Sequence, residues 1–161
     1  MGIISSFLNS LMLPKKKAVL AINKTKIGHS VAYLAALLFI VTLPDLIQLI
    51  SSYDSEFSEV PQNVFIIQIV VFYPLQIIFL GLIGISFIAA IGVGISRLVK
   101  RNIKFALMWK MAIHASTTPL LLYVILKNLI AIHNSLSVLL FIFVIVILYG
   151  MITVYPKPKK K

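Results

Sequence analysis

The sequence predicts an all-α integral membrane protein with four transmembrane helices and an N-terminal amphipathic helix. Of the 161 residues, 60% are hydrophobic and only 12% are charged, whereas a soluble domain has about 25% charged residues. The mean hydropathy is +1.05, and the net charge is +11 because 15 Lys and Arg face only 4 Asp and Glu. The basic residues border long apolar stretches, a pattern that favours a membrane protein over a nucleic-acid-binding one.

The length allows a single membrane domain over residues 1–161. Each transmembrane helix needs about 20 apolar residues, so the chain accommodates one bundle of about four helices and no second domain. Cysteine is absent, which excludes disulfides, thiolate metal ligands and a thiol nucleophile.

The first element is a predicted amphipathic helix over residues 2–13, which Pro14 ends. Ser5, Ser6 and Asn9 lie on the face opposite to the apolar one. Two placements are consistent with this pattern: the helix lies in the membrane surface, or it docks on its own bundle. The apolar face consists of Ile3, Ile4, Phe7, Leu8, Leu11 and Met12.

Spans one and two are separated by an acidic loop. We predict span one over residues 31–50, the loop over 51–63 and span two over 64–96. The second span is free of charged residues, and as one straight helix it would be about 50 Å long. Because the hydrocarbon core is about 30 Å thick, we expect Pro74 to kink the helix and to leave residues 64–73 interfacial or tilted.

The second half of the chain is also predicted to contain two transmembrane spans. A basic connection over residues 97–110 leads to span three over 111–132, and a short turn at His133 leads to span four over 136–155. A basic tail over 156–161 closes the chain.

The basic residues predict the orientation. Five precede span one, five lie between spans two and three, and four lie in the tail, so 14 of the 15 fall on one side of the membrane. The positive-inside rule assigns this side to the cytoplasm, with both termini cytoplasmic in a multi-pass protein of a bacterial cytoplasmic membrane. Lys127 is the exception, and its long side chain allows it to snorkel to the outer interface.

The sequence contains no arrangement of residues typical of an enzyme. A catalytic acid–base pair requires two side chains that rigid elements hold close together, and the carboxylates of the acidic loop are predicted to lie in one flexible segment. His29, His114 and His133 fall at different depths and cannot share one metal ion. We therefore expect a non-enzymatic protein without a cofactor or a metal site.

Four groups of residues are candidates for function. Basic residues near the apolar segments are candidate contacts for anionic lipid headgroups, small residues on one face of span two are candidates for helix packing, and polar residues inside spans are candidates for a polar path. Prolines inside spans are candidate kinks. The candidate headgroup contacts are Lys15, Lys16, Lys17, Arg97, Lys100, Arg101 and Lys104, and the candidate packing residues are Ser86, Ala90 and Gly94. The candidate polar path consists of Asp45, Gln76, His114 and Thr117, and the candidate kinks are Pro44, Pro74 and Pro119.

Several short segments resemble one bacterial membrane family. Residues 7–11 (FLNSL) with 14–16 (PKK), 42–44 (TLP), and 109–112 (WKMA) followed by 117–119 (TTP) are similar to the family called domain of unknown function eleven eighty-nine. The resemblance implies an amphipathic N-terminus and a multispan apolar body, and it suggests a link to maltodextrin uptake, since some members are associated with such operons in Gram-positive bacteria. It supplies no catalytic residues.

Three functions remain open at this point. The first is an accessory or regulatory subunit of another integral membrane protein, such as a sugar importer, or of a self-associated complex. The small-residue face could serve this association or only packing within the chain. The second is a small oligomeric transporter or channel with a polar path through the bundle. The third is a membrane-organising protein that binds anionic lipids; nucleic acid is not an expected partner.

Overall fold

The computed structural model describes residues 2–53, 60–129 and 135–157, and within these ranges all regular structure is helical. Most of the predicted acidic loop, the turn at His133 and the end of the tail lie outside the described residues, and side chains are described except at 128–129 and 135–137. The α-helices are α1 (Ile3–Leu11), α2 (Lys16–Asn23), α3 (Ile27–Ser51), α4 (Gln62–Ile67), α5 (Tyr73–Leu98), α6 (Phe105–Ala115), α7 (Thr117–Leu129) and α8 (Ser135–Thr153).

Two helices are long and apolar enough to cross a membrane. One is α3, and the other is the continuous helix Gln62–Leu98, which joins α4 and α5. A π-helical turn, Gln68–Phe72, connects them directly before Pro74. Proline lacks an N–H and its ring conflicts with the carbonyl four residues earlier, so the wider π turn lets the helix pass Pro74 without ending.

The predicted third span consists of two helices in the structure. Residues 105–110 of the predicted basic connection form the first turns of α6, which begins at Phe105. Ser116 separates α6 from α7. Pro119 occupies the first turn of α7, where a missing backbone N–H costs no helical hydrogen bond.

Helix α6 lies at the centre of the bundle. Its residues from Lys110 to Ala115 are buried, as is Met108, and the helix contacts α1, α2, α3, α5, α7 and α8. The stretch 110–115 is therefore enclosed by protein, whereas Trp109 is half-buried and Phe105, at the start of the helix, is exposed. The core around it includes Val19 and Ile22 of α2, Leu34 and Leu37 of α3, and Leu148, Met151 and Ile152 of α8.

Helix α2 is an element that the sequence analysis missed. Its buried residues are Ala18, Val19 and Ile22, which form one face at helical spacing and pack on α6. The ammonium of Lys110 on α6 donates hydrogen bonds of 2.9 Å to the carbonyls of Asn23 and Thr25. This cation therefore satisfies carbonyls at the carboxyl end of α2, where positive charge is favourable.

Helix α1 docks on the bundle through its polar face. Ser6 and Ser10 are buried, whereas Ile4 is 77% and Leu8 is 54% exposed. A helix on a soluble domain would bury its apolar side instead. The reversed orientation is the one expected when the surroundings of the protein are apolar.

The exterior of the bundle is rich in large apolar side chains. Exposed examples occur on α3, α5 and α8, while the buried groups include serine, threonine, histidine and lysine side chains. Such a surface is suited to contact with lipid rather than with water. The exposed residues include Phe39, Ile40, Phe79, Phe87, Leu98 and Val146.

Two glycines allow close contacts between elements. A Cβ at Gly92 of α5 would lie 2.7 Å from Leu148 Cδ2 and 2.8 Å from Met108 Sδ, so this glycine lets α5, α6 and α8 approach one another. A Cβ at Gly150 of α8 would lie 2.9 Å from Cβ of Pro14. The turn between α1 and α2 therefore sits directly against α8.

We expect Gly150→Ala to destabilise the fold by about 1–3 kcal/mol, the usual cost of overpacking. The reason is that the rigid ring of Pro14 cannot move aside as a flexible side chain could. Thermal unfolding of the full chain in detergent measures the effect. The matched control is Gly84→Ala on α5, where an added Cβ meets no atom within 4 Å. Equal melting temperatures for the two variants would contradict the prediction.

Candidate functional site

A cluster of polar side chains lies buried beneath α1. We call Ser10, Tyr33, His114 and Thr117 the polar cluster, and all four residues are buried. They come from four helices: α1, α3, α6 and α7. The cluster therefore joins the N-terminal helix to the centre of the bundle.

The hydrogen bonds of the cluster indicate which nitrogen of His114 holds a proton. The hydroxyl of Ser10 donates to the carbonyl of Ser6 at 2.7 Å, and its oxygen lies 2.8 Å from Nδ1 of His114. Because a serine hydroxyl has a single proton, Nδ1 of His114 is the donor to Ser10. Tyr33 OH lies 2.9 Å from Oγ1 of Thr117, and its ring stacks on the ring of His114 with centroids 4.8 Å apart.

The Ser10–His114 pair differs from an activated nucleophile. In a catalytic serine–histidine pair the histidine accepts the proton of the serine and is oriented by a third group. Here the histidine donates, and its Nε2 is buried without a hydrogen-bond partner among the described residues. The arrangement is suited to holding α1 on the bundle. The described residues also contain no group of three or more His, Asp or Glu side chains that could hold a metal ion.

The four residues of the predicted polar path lie in three places. His114 and Thr117 belong to the polar cluster. Asp45 of α3 lies in a different part of the bundle, where its carboxylate pairs with the ammonium of Lys127 of α7 at 2.6 Å. Gln76 is exposed on α5. The structure thus brings two of the four together and gives Lys127 a partner on a neighbouring helix.

The basic residues gather where α3 and α6 begin and where α5 and α8 end. We call this the lysine-rich end. The predicted headgroup contacts are exposed there or on α2, with one exception. Arg101 turns inward, and its Nη1 donates to the carbonyls of Ile152 at 2.8 Å and of Tyr155, so it satisfies the carboxyl end of α8. The predicted headgroup contacts that are exposed are Lys15, Lys16, Lys17, Arg97, Lys100 and Lys104.

Lys110 is the buried cation of the lysine-rich end. Its side chain is only 8% exposed. Its two carbonyl partners, on Asn23 and Thr25, compensate part of the loss of hydration. Lys110 therefore serves the packing of α2 rather than contact with a ligand.

The predicted small-residue face of span two is divided between two environments. The hydroxyl of Ser86 accepts a hydrogen bond of 3.1 Å from Nε1 of Trp109 on α6. Ala90 and Gly94 are exposed, and a Cβ at Gly94 meets nothing within 4 Å. Packing inside the chain uses other small residues of α5, namely Gly81, Ala89 and Gly92.

Three cavities adjoin these elements. One of about 330 Å³ lies between α3, α5, α7 and α8 and is lined almost entirely by apolar groups. A groove of about 280 Å³ separates the outer edge of α1 from α3 and is apolar. A surface pocket of about 410 Å³ at the lysine-rich end is lined by Lys24, Thr25, Lys26 and His29.

We expect Ser10→Ala to loosen α1 by leaving the buried Nδ1 of His114 without its acceptor, at a cost of about 1–3 kcal/mol. Hydrogen exchange of the backbone amides of α1 in the full chain measures the effect, and it should become faster. Ser5→Ala is the matched control, since Ser5 is on the same helix but outside the cluster. If both variants exchange at the same rate, the cluster does not hold α1.

Comparison with known proteins gives one match. A family model described as "Protein of unknown function (DUF1189)" matches residues 60–154. Among curated proteins and solved structures, no match was found.

Proposed function

The chain belongs to the DUF1189 family, and from that premise we propose that it is a non-enzymatic integral membrane subunit that associates with another integral membrane protein. The family predicted from the sequence is thereby confirmed. The matched residues 60–154 include the WKMA and TTP segments at 109–112 and 117–119. They run from just before α4 to the carboxyl end of α8.

The observation that supports association best is a notch on the outer face of α5. Ala90 and Gly94 are exposed there, while the neighbouring exposed positions Phe87 and Leu98 carry large side chains. Helices in membranes associate where small residues let their backbones approach closely. The notch is not used for packing within the described chain, and it is therefore available to a helix of a partner.

We place the lysine-rich end in the cytoplasm, with both termini on that side. The four spans are then α3, the joined α4 and α5, the pair α6 and α7, and α8. This arrangement follows the distribution of 14 of the 15 basic residues and the positive-inside rule. The notch lies one turn before Arg97 and so faces the cytoplasmic half of a bacterial cytoplasmic membrane. A sugar importer is the first partner to test, because the family resemblance suggests it.

A transporter with a polar path is the weaker alternative. The residues proposed for that path occupy three separate places, and Asp45 is already paired with Lys127. The cavity of about 330 Å³ inside the bundle has an apolar lining. These observations favour a subunit that acts through its surface over one that conducts a polar solute.

We expect Gly94→Leu to lower recovery of the partner about tenfold or more, because the added side chain fills the notch and separates the helix backbones. The measurement is affinity purification in mild detergent from the native host, with the co-purified membrane protein quantified for each variant. Gly84→Leu is the matched control, since it adds the same side chain at another exposed glycine of α5 where a Cβ meets nothing within 4 Å.

Two results would contradict this function. One is equal recovery of the partner with wild type and Gly94→Leu. The other is recovery of the wild-type chain as a monomer alone in several mild detergents. A third result is a dimer of the chain that Gly94→Leu abolishes. The notch would then still be an interface, but its partner would be a second copy of this chain.

A further inference from the structure

We propose that the cleft between α1 and the first half of α3 binds one anionic phospholipid. Its phosphate lies in the surface pocket of Lys24, Lys26 and His29, and one acyl chain lies in the apolar groove between α1 and α3. The site is on a different surface from the notch of α5, so it stands independently of the association with a partner.

The headgroup pocket has an uncompensated positive charge. Lys24 and Lys26 are both exposed at the rim of the pocket of about 410 Å³. Of the described acidic residues, Asp45 pairs with Lys127, far along α3 from this pocket. The pocket therefore offers the ammonium groups of Lys24 and Lys26 to a ligand, a pair that favours phosphate.

The start of α3 adds to this preference. Its N-cap residue is Lys26, no side chain caps it, and its first turn contains no acidic residue. The amino end of a helix has partial positive charge and free N–H groups that bind phosphate well. A lysine at such a position is unfavourable by itself, and a bound anion would offset this cost.

The groove next to the pocket fits an acyl chain. Ile3 and Phe7 of α1 form one wall of the groove, and Leu37 and Ile40 of α3 form the other. The groove has a volume of about 280 Å³ and is lined by apolar groups. A hydrocarbon chain gains from such a surface, while a free phosphate or a sugar does not.

Pocket and groove follow one face of α3. His29, Ala32, Ala36 and Ile40 are separated by three, four and four residues, which places them on one stripe of the helix, and all four are at least partly exposed. From His29 to Ile40 the helix axis rises about 17 Å, close to half of a hydrocarbon core of about 30 Å. A lipid with its phosphate at His29 would thus extend its chain along α3 through one leaflet.

Helix α1 is held at the boundary between pocket and groove. Oγ of Ser6 lies 2.9 Å from Nε2 of His29, so the same histidine borders the headgroup pocket and contacts α1. The inward orientation of the serine face leaves the apolar face of α1 to line the groove. Both parts of the site therefore depend on the docking of α1 described above.

The test uses the full chain in detergent, with bound lipid measured by native mass spectrometry. Phosphatidylglycerol is compared with phosphatidylcholine of the same acyl chains. We expect one phosphatidylglycerol per chain, with at least about tenfold preference over phosphatidylcholine. Lys24→Gln with Lys26→Gln should lower this binding about tenfold or more. Lys157→Gln with Lys159→Gln, the matched control, removes the same charge from the C-terminal tail and should leave the binding unchanged.

A second variant separates a lipid from a free anion. Ala36→Leu fills the groove, which Ala36 lines, and should lower phosphatidylglycerol binding severalfold. Ala106→Leu, at an exposed position of α6 outside the pocket and the groove, is its control. Elution volume on size exclusion reports whether each variant is folded. The proposal is overturned if inorganic phosphate raises the melting temperature as much as phosphatidylglycerol does and Ala36→Leu has no effect. Equal losses in the two double-lysine variants would also overturn it, because they would indicate binding by general charge.

Discussion

The burial of α6 is the constraint on which the rest of the fold depends. Its residues 110–115 are buried, yet they include Lys110 and His114, and the buried Thr117 follows two positions after its end. Polar groups enclosed in an apolar surrounding must find partners within the protein. Each of the three finds its partner on another element: Lys110 at the end of α2, His114 on Ser10 of α1, and Thr117 on Tyr33 of α3. These pairings explain why two short helices, α1 and α2, pack against the bundle at all.

The same constraint determines the orientation of α1. Because its serines bond to Nδ1 of His114 and to Nε2 of His29, its apolar side chains must face outward. In water this orientation would expose several large apolar groups at a cost of roughly 1.5–3 kcal/mol each. In lipid it costs little, and it also supplies one wall of the groove along α3. The stability of the buried cluster and the shape of the proposed lipid site thus have one physical origin.

The sequence predicted the two long helices well, because charge-free apolar stretches of that length have few other structures available to them. The helix α2 escaped prediction because its apolar face has only three residues, Ala18, Val19 and Ile22, between two groups of lysines. The pairing of Asp45 with Lys127 was also missed, since the two residues are 82 positions apart and only the packing of α3 on α7 brings them together. For α1, the sequence left open whether the helix lies in the membrane surface or docks on the bundle. Its serines face inward because they pair with polar groups elsewhere in the chain, such as His114 of α6, and the sequence of α1 alone does not contain this information.

The two proposed surfaces belong to different parts of the chain. The notch at Ala90 and Gly94 lies within residues 60–154, which match the family model, whereas the cleft between α1 and α3 is lined mostly by residues that precede them. The packing of α1 and α3 on α6 nevertheless joins both parts into one bundle. A lipid bound in the cleft would stabilise α1 and α3 against α6, while the outer face of α5 would stay open to a partner. Lipid composition would therefore influence the stability of the bundle without occupying the proposed partner surface.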